Sequence, residues 1–156
     1  SKIDINNYEL FDLKPNENQN EIKYGDIFFT GSSETPSEVG MSSVLLDEVK
    51  GYYLNSFCFG FRLNNFKTLK PEYARFFLRS KYVREFMHLH AQGSTRFNLS
   101  KTTVKNKLKL ILPEIKEQEL ISKNIESKEK LLIQFENQIK LSKKIQMQLI
   151  NRIFGA

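Results

Sequence analysis

Apolar residues follow three different rhythms along this chain. In "YGDIFFTGSSETPSEVG", residues 24–40, a run from Ile27 to Phe29 is followed by Gly31, Ser32, Ser33 and Pro36, which predicts a short strand leading into turns. The preceding "SKIDINNYELFDLKPNENQN" is polar and shows no beginning for a domain, so the pattern predicts a chain that starts inside a larger one. Further on, "SFCFGFRL" alternates, placing Phe57, Phe59, Phe61 and Leu63 on one face and Ser56, Cys58, Gly60 and Arg62 on the other. That is the signature of a strand with one face in the core.

Pro71 suits the first turn of a helix through "PEYARFFLR", with Tyr73, Phe76 and Phe77 on one side. At about 100° per residue, the apolar face of Val83, Phe86, Met87 and His90 falls elsewhere, so two helices meeting near Ser80 are predicted. Gly93 is placed to close the second helix, and "VKNKLKLIL" reads as a strand with Leu108, Leu110 and Leu112 inward and lysines outward.

After Pro113 the rhythm changes. Glu114 to Phe154 contains no Gly or Pro, and Ile121, Ile125, Leu132, Phe135, Ile139, Ile145, Leu149 and Ile153 recur near a seven-residue repeat. A helix of that extent is roughly 60 Å long, too long to be covered by the rest of the chain. Lys128 and Ser142 interrupt the seam, and the step from Ile139 to Ile145 is one residue short, which points to imperfect pairing and more than one neighbour. An ordinary amphipathic core helix is the alternative. The predicted fold class is α+β: a small mixed globular domain over 1–112, lacking its N-terminal start, then a long C-terminal coiled-coil helix over 113–156.

Composition narrows the chemistry. No apolar run approaches a membrane span and no targeting pattern opens the chain, so a cytoplasmic protein without a membrane partner is expected. One cysteine, Cys58, excludes an internal disulfide framework, and with only His88 and His90 beside it a Cys/His metal site is not expected. The two histidines, two residues apart on a helix, read as one packed and one at the surface.

Charge changes the picture more. The net +6 conceals 4 basic against 10 acidic residues up to Lys50, 12 against 2 from Gly51 to Leu112, and 8 against 6 thereafter. A middle third at net +10, interleaved with Tyr and Phe, is what a phosphate-facing surface requires, although a solvated basic face without a partner has the same composition. Within it, "QGSTRFNLS", residues 92–100, offers Arg96 with Ser94, Thr95 and Asn98, side chains able to bond base edges. A connector whose Arg96 pairs with Glu85 or solvent is the competing reading. Thr30, Ser32, Ser33 and Thr35 form a second candidate loop, which a plain turn would also explain. Lys101, Lys105 and Lys107 are candidates for phosphates, although alternate lysines on an exposed strand face need no ligand, and Arg75, Arg79, Lys81 and Arg84 admit the same two readings. "EIK" at Glu21–Lys23 after Asp12, and again at Glu114–Lys116, matches a carboxylate arrangement that holds Mg²⁺ in nucleases, but so short a match arises by chance, and Glu114 suits a helix N-terminus. No Gly-rich phosphate loop or methyltransferase signature is present.

The order of these pieces resembles a known family. Gly93 to Arg96, the polar run Asn98 to Ser100, Leu112-Pro113, Glu117-Gln118 and the long helix together look like the C-terminal part of the DNA-specificity subunit of Type I restriction-modification systems. "YGDIFFT" is similar to a strand of the same family, and the resemblance covers about Tyr24 to Phe154. It implies one target recognition domain followed by a spacer helix: a non-catalytic subunit that reads one half of a bipartite site in double-stranded DNA. It further implies docking of methyltransferase (modification) subunits and of the restriction/translocase subunit, and pairing of the long helix with a second recognition unit or in a homodimer. The chain itself would hold no cofactor, S-adenosylmethionine and ATP/Mg belonging to the partner subunits. A fragment, or a half-length subunit that dimerises, would both fit. The alternatives are a coiled-coil assembly protein whose basic domain meets an acidic protein partner, and a Mg-dependent nuclease.

Overall fold

Ile27, Phe28 and Phe29 are consecutive and all buried, which a strand achieves only where both of its faces are covered. The computed structural model, which describes residues 2–10 and 19–155, meets that demand by placing β1 (Ile27–Thr30) at the centre of an antiparallel sheet. Its neighbours are β3 (Ser42–Val44) and β4 (Cys58–Phe61), while β2 (Ser32–Ser33) leaves this sheet immediately after β1. Phe28 packs on one side with Ile22 and Leu45, and Ile3, Ile5 and Tyr52 close over that cluster. On the other side Phe29 stacks on Phe59 at 5.6 Å and meets Phe61 edge-on at 6.0 Å. Phe28 lies opposite Gly60, where a Cβ would come within 2.8 Å of the Phe28 ring. The gap in the aromatic alternation of β4 is therefore the space the central strand needs.

Helices α1 (Pro71–Phe77) and α2 (Lys81–His90) meet at Ser80, whose hydroxyl caps α2 through Val83 N, as the two separate apolar faces predict. Val83 and Met87 are buried; Phe86 and His90 stack at 4.2 Å, while His88 is exposed.

Three expectations are corrected. "VKNKLKLIL" is not a strand: Ser100 caps a helix, α3 (Lys101–Lys107), by accepting from Thr103 N at 3.2 Å, and only Val104 of that helix is buried. Residues 108–112 belong to no helix or strand, pair with no strand among the described residues, and leave Leu110 and Ile111 exposed. Alternation describes a strand only where a neighbouring edge is available to complete its hydrogen bonds. Phe57 lies before β4 rather than in it, exposed instead of inward, because Asn55 Oδ1 accepts from Phe57 N and turns the chain there. Gly93 does not close α2, whose C-cap is Ala91. The polar opening also contributes more than its pattern shows, since Lys2 bridges to Val44 and Ile3 N donates to Val44 O.

The chain divides into two units, Ser1–Glu119 and Leu120–Ala156. Helix α4 (Ile115–Phe154, 40 residues) begins in the first unit and supplies the second. Its first turn carries Gln118, which is fully buried. The Gln118 Oε1 accepts from Lys70 N at 3.0 Å, while Nε2 donates to Thr68 O and Pro113 O at 2.9 Å each. Lys70 is the N-cap of α1 and has no side-chain cap of its own, so Gln118 satisfies the amide at the start of α1 and ties together the carbonyls that precede α1 and α4. Lys70 Nζ adds an ion pair to Glu119 at 2.9 Å. Along residues 128–154 every described side chain is exposed, including Leu132, Phe135, Ile139, Ile145, Leu149 and Ile153; Ile121 and Ile125 are half-buried.

Replacing Gln118 with Leu would leave the Lys70 amide and two carbonyls without partners in a buried place, so we expect a loss of about 3 kcal/mol in chemical denaturation. The Tyr24 hydroxyl, which donates to Glu72, is pushed up to about 12 by burial and by that hydrogen bond. The unfolded phenol ionises near its ordinary value of about 10. The stabilisation is therefore complete below pH 10 and is lost as the pH rises towards 12. A Tyr24→Phe variant should show a shallower loss of stability than the parent in that window.

Candidate nucleic-acid interface

The backbone of Gly31 joins three loops. Its N–H donates to Phe57 O and its carbonyl accepts from Leu99 N, both at 2.8 Å. Immediately after it, β2 pairs antiparallel with β5 (Phe97–Asn98), setting Ser32 opposite Asn98 and Ser33 opposite Phe97. The two candidate loops, more than sixty positions apart in sequence, thus become one surface. The loop carrying Phe57 joins them as a third contributor.

Gln92 and Asn98 exchange backbone hydrogen bonds at 2.8 and 2.9 Å, closing a hairpin whose tip is Gly93 to Arg96. Gly93 has φ of +123°, and a Cβ there would lie 2.0 Å from Arg96 O, so only glycine fits the turn that presents Ser94, Thr95 and Arg96. All three are exposed. Arg96 makes no ion pair among the described residues, and Glu85 instead faces Lys81 at 3.7 Å. The Arg96 guanidinium lies over the Phe57 ring, 5.7 Å from its centroid. Asn98 is exposed and spends one N–H on Arg96 O at 3.2 Å.

The neighbouring loop is partly committed to its own shape. Ser33 Oγ accepts from Thr35 N at 3.1 Å and donates to Glu38 at 3.0 Å, a local turn that leaves Thr35 exposed. Thr30 stays within the sheet opposite Cys58, half-buried, and Ser32 is half-buried beside it. Lys101, the first residue of α3, sits 5.3 Å above the Phe61 ring, and Lys105 follows one turn later on the same exposed face. Lys107 falls on another side of α3.

Part of the middle third's positive charge is committed to contacts within the domain. Arg62 forms a two-point pair with the buried carboxylate of Asp26, Nε to Oδ1 at 2.8 Å and Nη2 to Oδ2 at 2.6 Å, and donates to Glu21 O. The hydrogen bond to Asp26 holds its guanidinium above the ordinary range. Arg79 donates to Ser42 O at 2.6 Å, and Arg84 to Ser37 O and Val39 O. Burial pulls both guanidiniums below their ordinary range, and for Arg84 the charge of Arg79 adds to the effect. Arg75 lies over the Phe76 ring at 4.1 Å. Of the basic sequence candidates, Arg96, Lys81, Lys101, Lys105 and Lys107 remain exposed. Sequence reasoning missed Phe57, although the Asn-Ser pair before it is a turn signal that would have placed it outside the strand.

Glu21 and Lys23 do not form a metal-like site with what surrounds them: the Glu21 carboxylate accepts from Gly51 N, and Lys23 N donates to Asp26. Asp12 lies outside the described residues. Among the described residues no three His, Cys, Asp or Glu side chains gather as a metal cluster, and no helix is long and apolar enough to cross a membrane.

A small α+β domain that presents hydroxyl, amide and guanidinium groups from three neighbouring loops, followed by a long helix, has the surface chemistry that DNA recognition uses. The chain belongs to the Type I restriction modification DNA specificity domain family, whose model matches residues 4–146. That domain recognises DNA for a restriction-modification complex and is not the catalytic part of it. No curated protein matches the chain.

We expect Gly93→Ala to force the 93–96 turn open, at a cost of about 1–3 kcal/mol. Circular dichroism should show the helices intact while sequence-dependent DNA binding is lost.

Proposed function

We propose that this chain reads one half of a bipartite site in double-stranded DNA as the specificity subunit of a Type I restriction-modification complex, without catalysing a reaction itself. The observation that carries this reading is the β2–β5 pairing, which gathers Ser32, Ser33, Arg96 and Asn98 beside Lys101 from separate parts of the chain. Arg96 is the group suited to a guanine, through O6 and N7, and Asn98 to an adenine. Ser94, Thr95, Thr30, Ser32, Ser33 and Thr35 supply shorter polar contacts or shape the loops. Lys101 and Lys105 meet phosphates, giving affinity without sequence information.

The exposed apolar seam of α4, from Leu132 to Ile153, supports pairing with a second copy or a related helix, which would bring two recognition units onto one site. Methyltransferase and translocase subunits complete the assembly, and S-adenosylmethionine, ATP and Mg²⁺ would be bound there and not on this chain. Such a complex works in the cytoplasm.

Selection from a random duplex library, with this chain alone and with its methyltransferase partner, tests the reading; recovery of no preferred sequence under either condition would refute it. Arg96→Ala should relax preference at one base position, with a loss of about 1–3 kcal/mol for the preferred duplex, whereas Lys105→Ala should weaken all duplexes alike and reduce the salt slope by about 1. Sedimentation of the chain should report a dimer that Leu132→Asp with Ile139→Asp converts to monomer; an unchanged mass would exclude the seam.

A further inference from the structure

Phe57 is 59% exposed, in a domain whose other large aromatic residues beside it, Phe29, Phe59 and Phe61, pack on one another. Its exposure is not the result of a loose loop. Asn55 Oδ1 accepts from Phe57 N at 3.1 Å, Asn55 O accepts from Cys58 N at 3.3 Å, and Phe57 O accepts from Gly31 N at 2.8 Å. The backbone on both sides of the ring is thus tied to the turn and to the junction between β1 and β2. The ring itself supports the Arg96 guanidinium, with Cζ 5.7 Å from its centroid.

Arg96 needs such support. It stands at the end of a hairpin tip with no ion pair among the described residues, and a free arginine has much rotamer freedom to lose when it grips a base edge in a two-point contact. A flat ring beneath a planar guanidinium restricts that freedom without occupying any of its N–H donors, which an acidic partner would do. We infer that Phe57 is a positioning residue for sequence recognition: its ring holds the Arg96 guanidinium in place while leaving the N–H donors to be presented to a base edge. This rests on the DNA-reading role proposed above for Arg96.

The consequence is a specific pattern among variants of the full chain. Phe57→Ala should lower discrimination roughly two- to fivefold, the range of an exposed cation–π contact. The loss should fall at the same base position that Arg96→Ala relaxes, with unchanged affinity for unrelated duplex and an unchanged salt slope. Phe57→Tyr keeps the ring and should keep the preference. Adding Phe57→Ala to Arg96→Ala should cost nothing further, because the ring acts through the arginine.

The measurements are selection from a random duplex library followed by titration of the selected duplex and its single-base variants. NMR of the free chain adds a check that needs no DNA: the Arg96 side-chain resonances should carry a ring-current shift that Phe57→Ala removes. Loss at a different base position, losses that add in the double variant, uniform weakening of every duplex, or Arg96 resonances indifferent to Phe57→Ala would each overturn the inference while leaving DNA reading intact. A parent chain that selects no sequence would remove the recognition role itself, and this inference with it.

Discussion

The double-sided burial of β1 is the constraint on which the rest of the domain depends. Ile27, Phe28 and Phe29 cannot all be covered unless the strand is central and each face receives its own apolar layer. Ile22 and Leu45 cover one face and the rings of Phe59 and Phe61 the other. Because β1 is held in this way, the residues that follow it, Gly31 to Ser33, leave the sheet from a rigid base. Their pairing with Phe97 and Asn98 then places the arginine hairpin. The strand that builds the core is also the mount of the proposed reading surface, an economical way to hold loop residues at fixed spacing.

Charge in this protein divides between structure and surface. The Arg62–Asp26 pair stabilises the entry to β1, since the carboxylate is buried and also accepts from Lys23 N. Arg84 bonds the Ser37 and Val39 carbonyls in the segment between β2 and β3, and Arg79 bonds the Ser42 carbonyl at the start of β3, so the two brace the chain that follows the Ser33 turn. The net +10 of the middle third therefore overstates the charge available to a phosphate backbone. Of what remains exposed, Arg96 lies over Phe57 and Lys101 over Phe61, at the three-loop surface.

The Gln118 side chain ties the first turn of α4 to the start of α1. Its amide uses an acceptor and two donors at the start of α4, joining that helix to the uncapped start of α1. No aliphatic residue of similar volume could make these bonds, and a glutamate would lack the donors.

The sequence by itself determined the elements whose signals are local. The Ile27–Phe29 run, the proline at the start of α1, the break at Ser80 and the Gly- and Pro-free helical stretch after Pro113 depend on side chains within a few positions of one another, and the structure has each of them. The order of the landmarks also sufficed to identify the family. Local pattern misled where the deciding partner was remote or absent: residues 108–112 alternate like a strand, yet pair with no strand among the described residues, and Ser100 commits the preceding residues to a helix. Tertiary structure alone decided that residues 30–35 and 92–98 share one surface, that Phe57 lies outside the core beneath Arg96, and that Arg79 and Arg84 point inward to carbonyls. Each of these depends on contacts between residues 30 to 70 positions apart, which periodicity and composition do not encode.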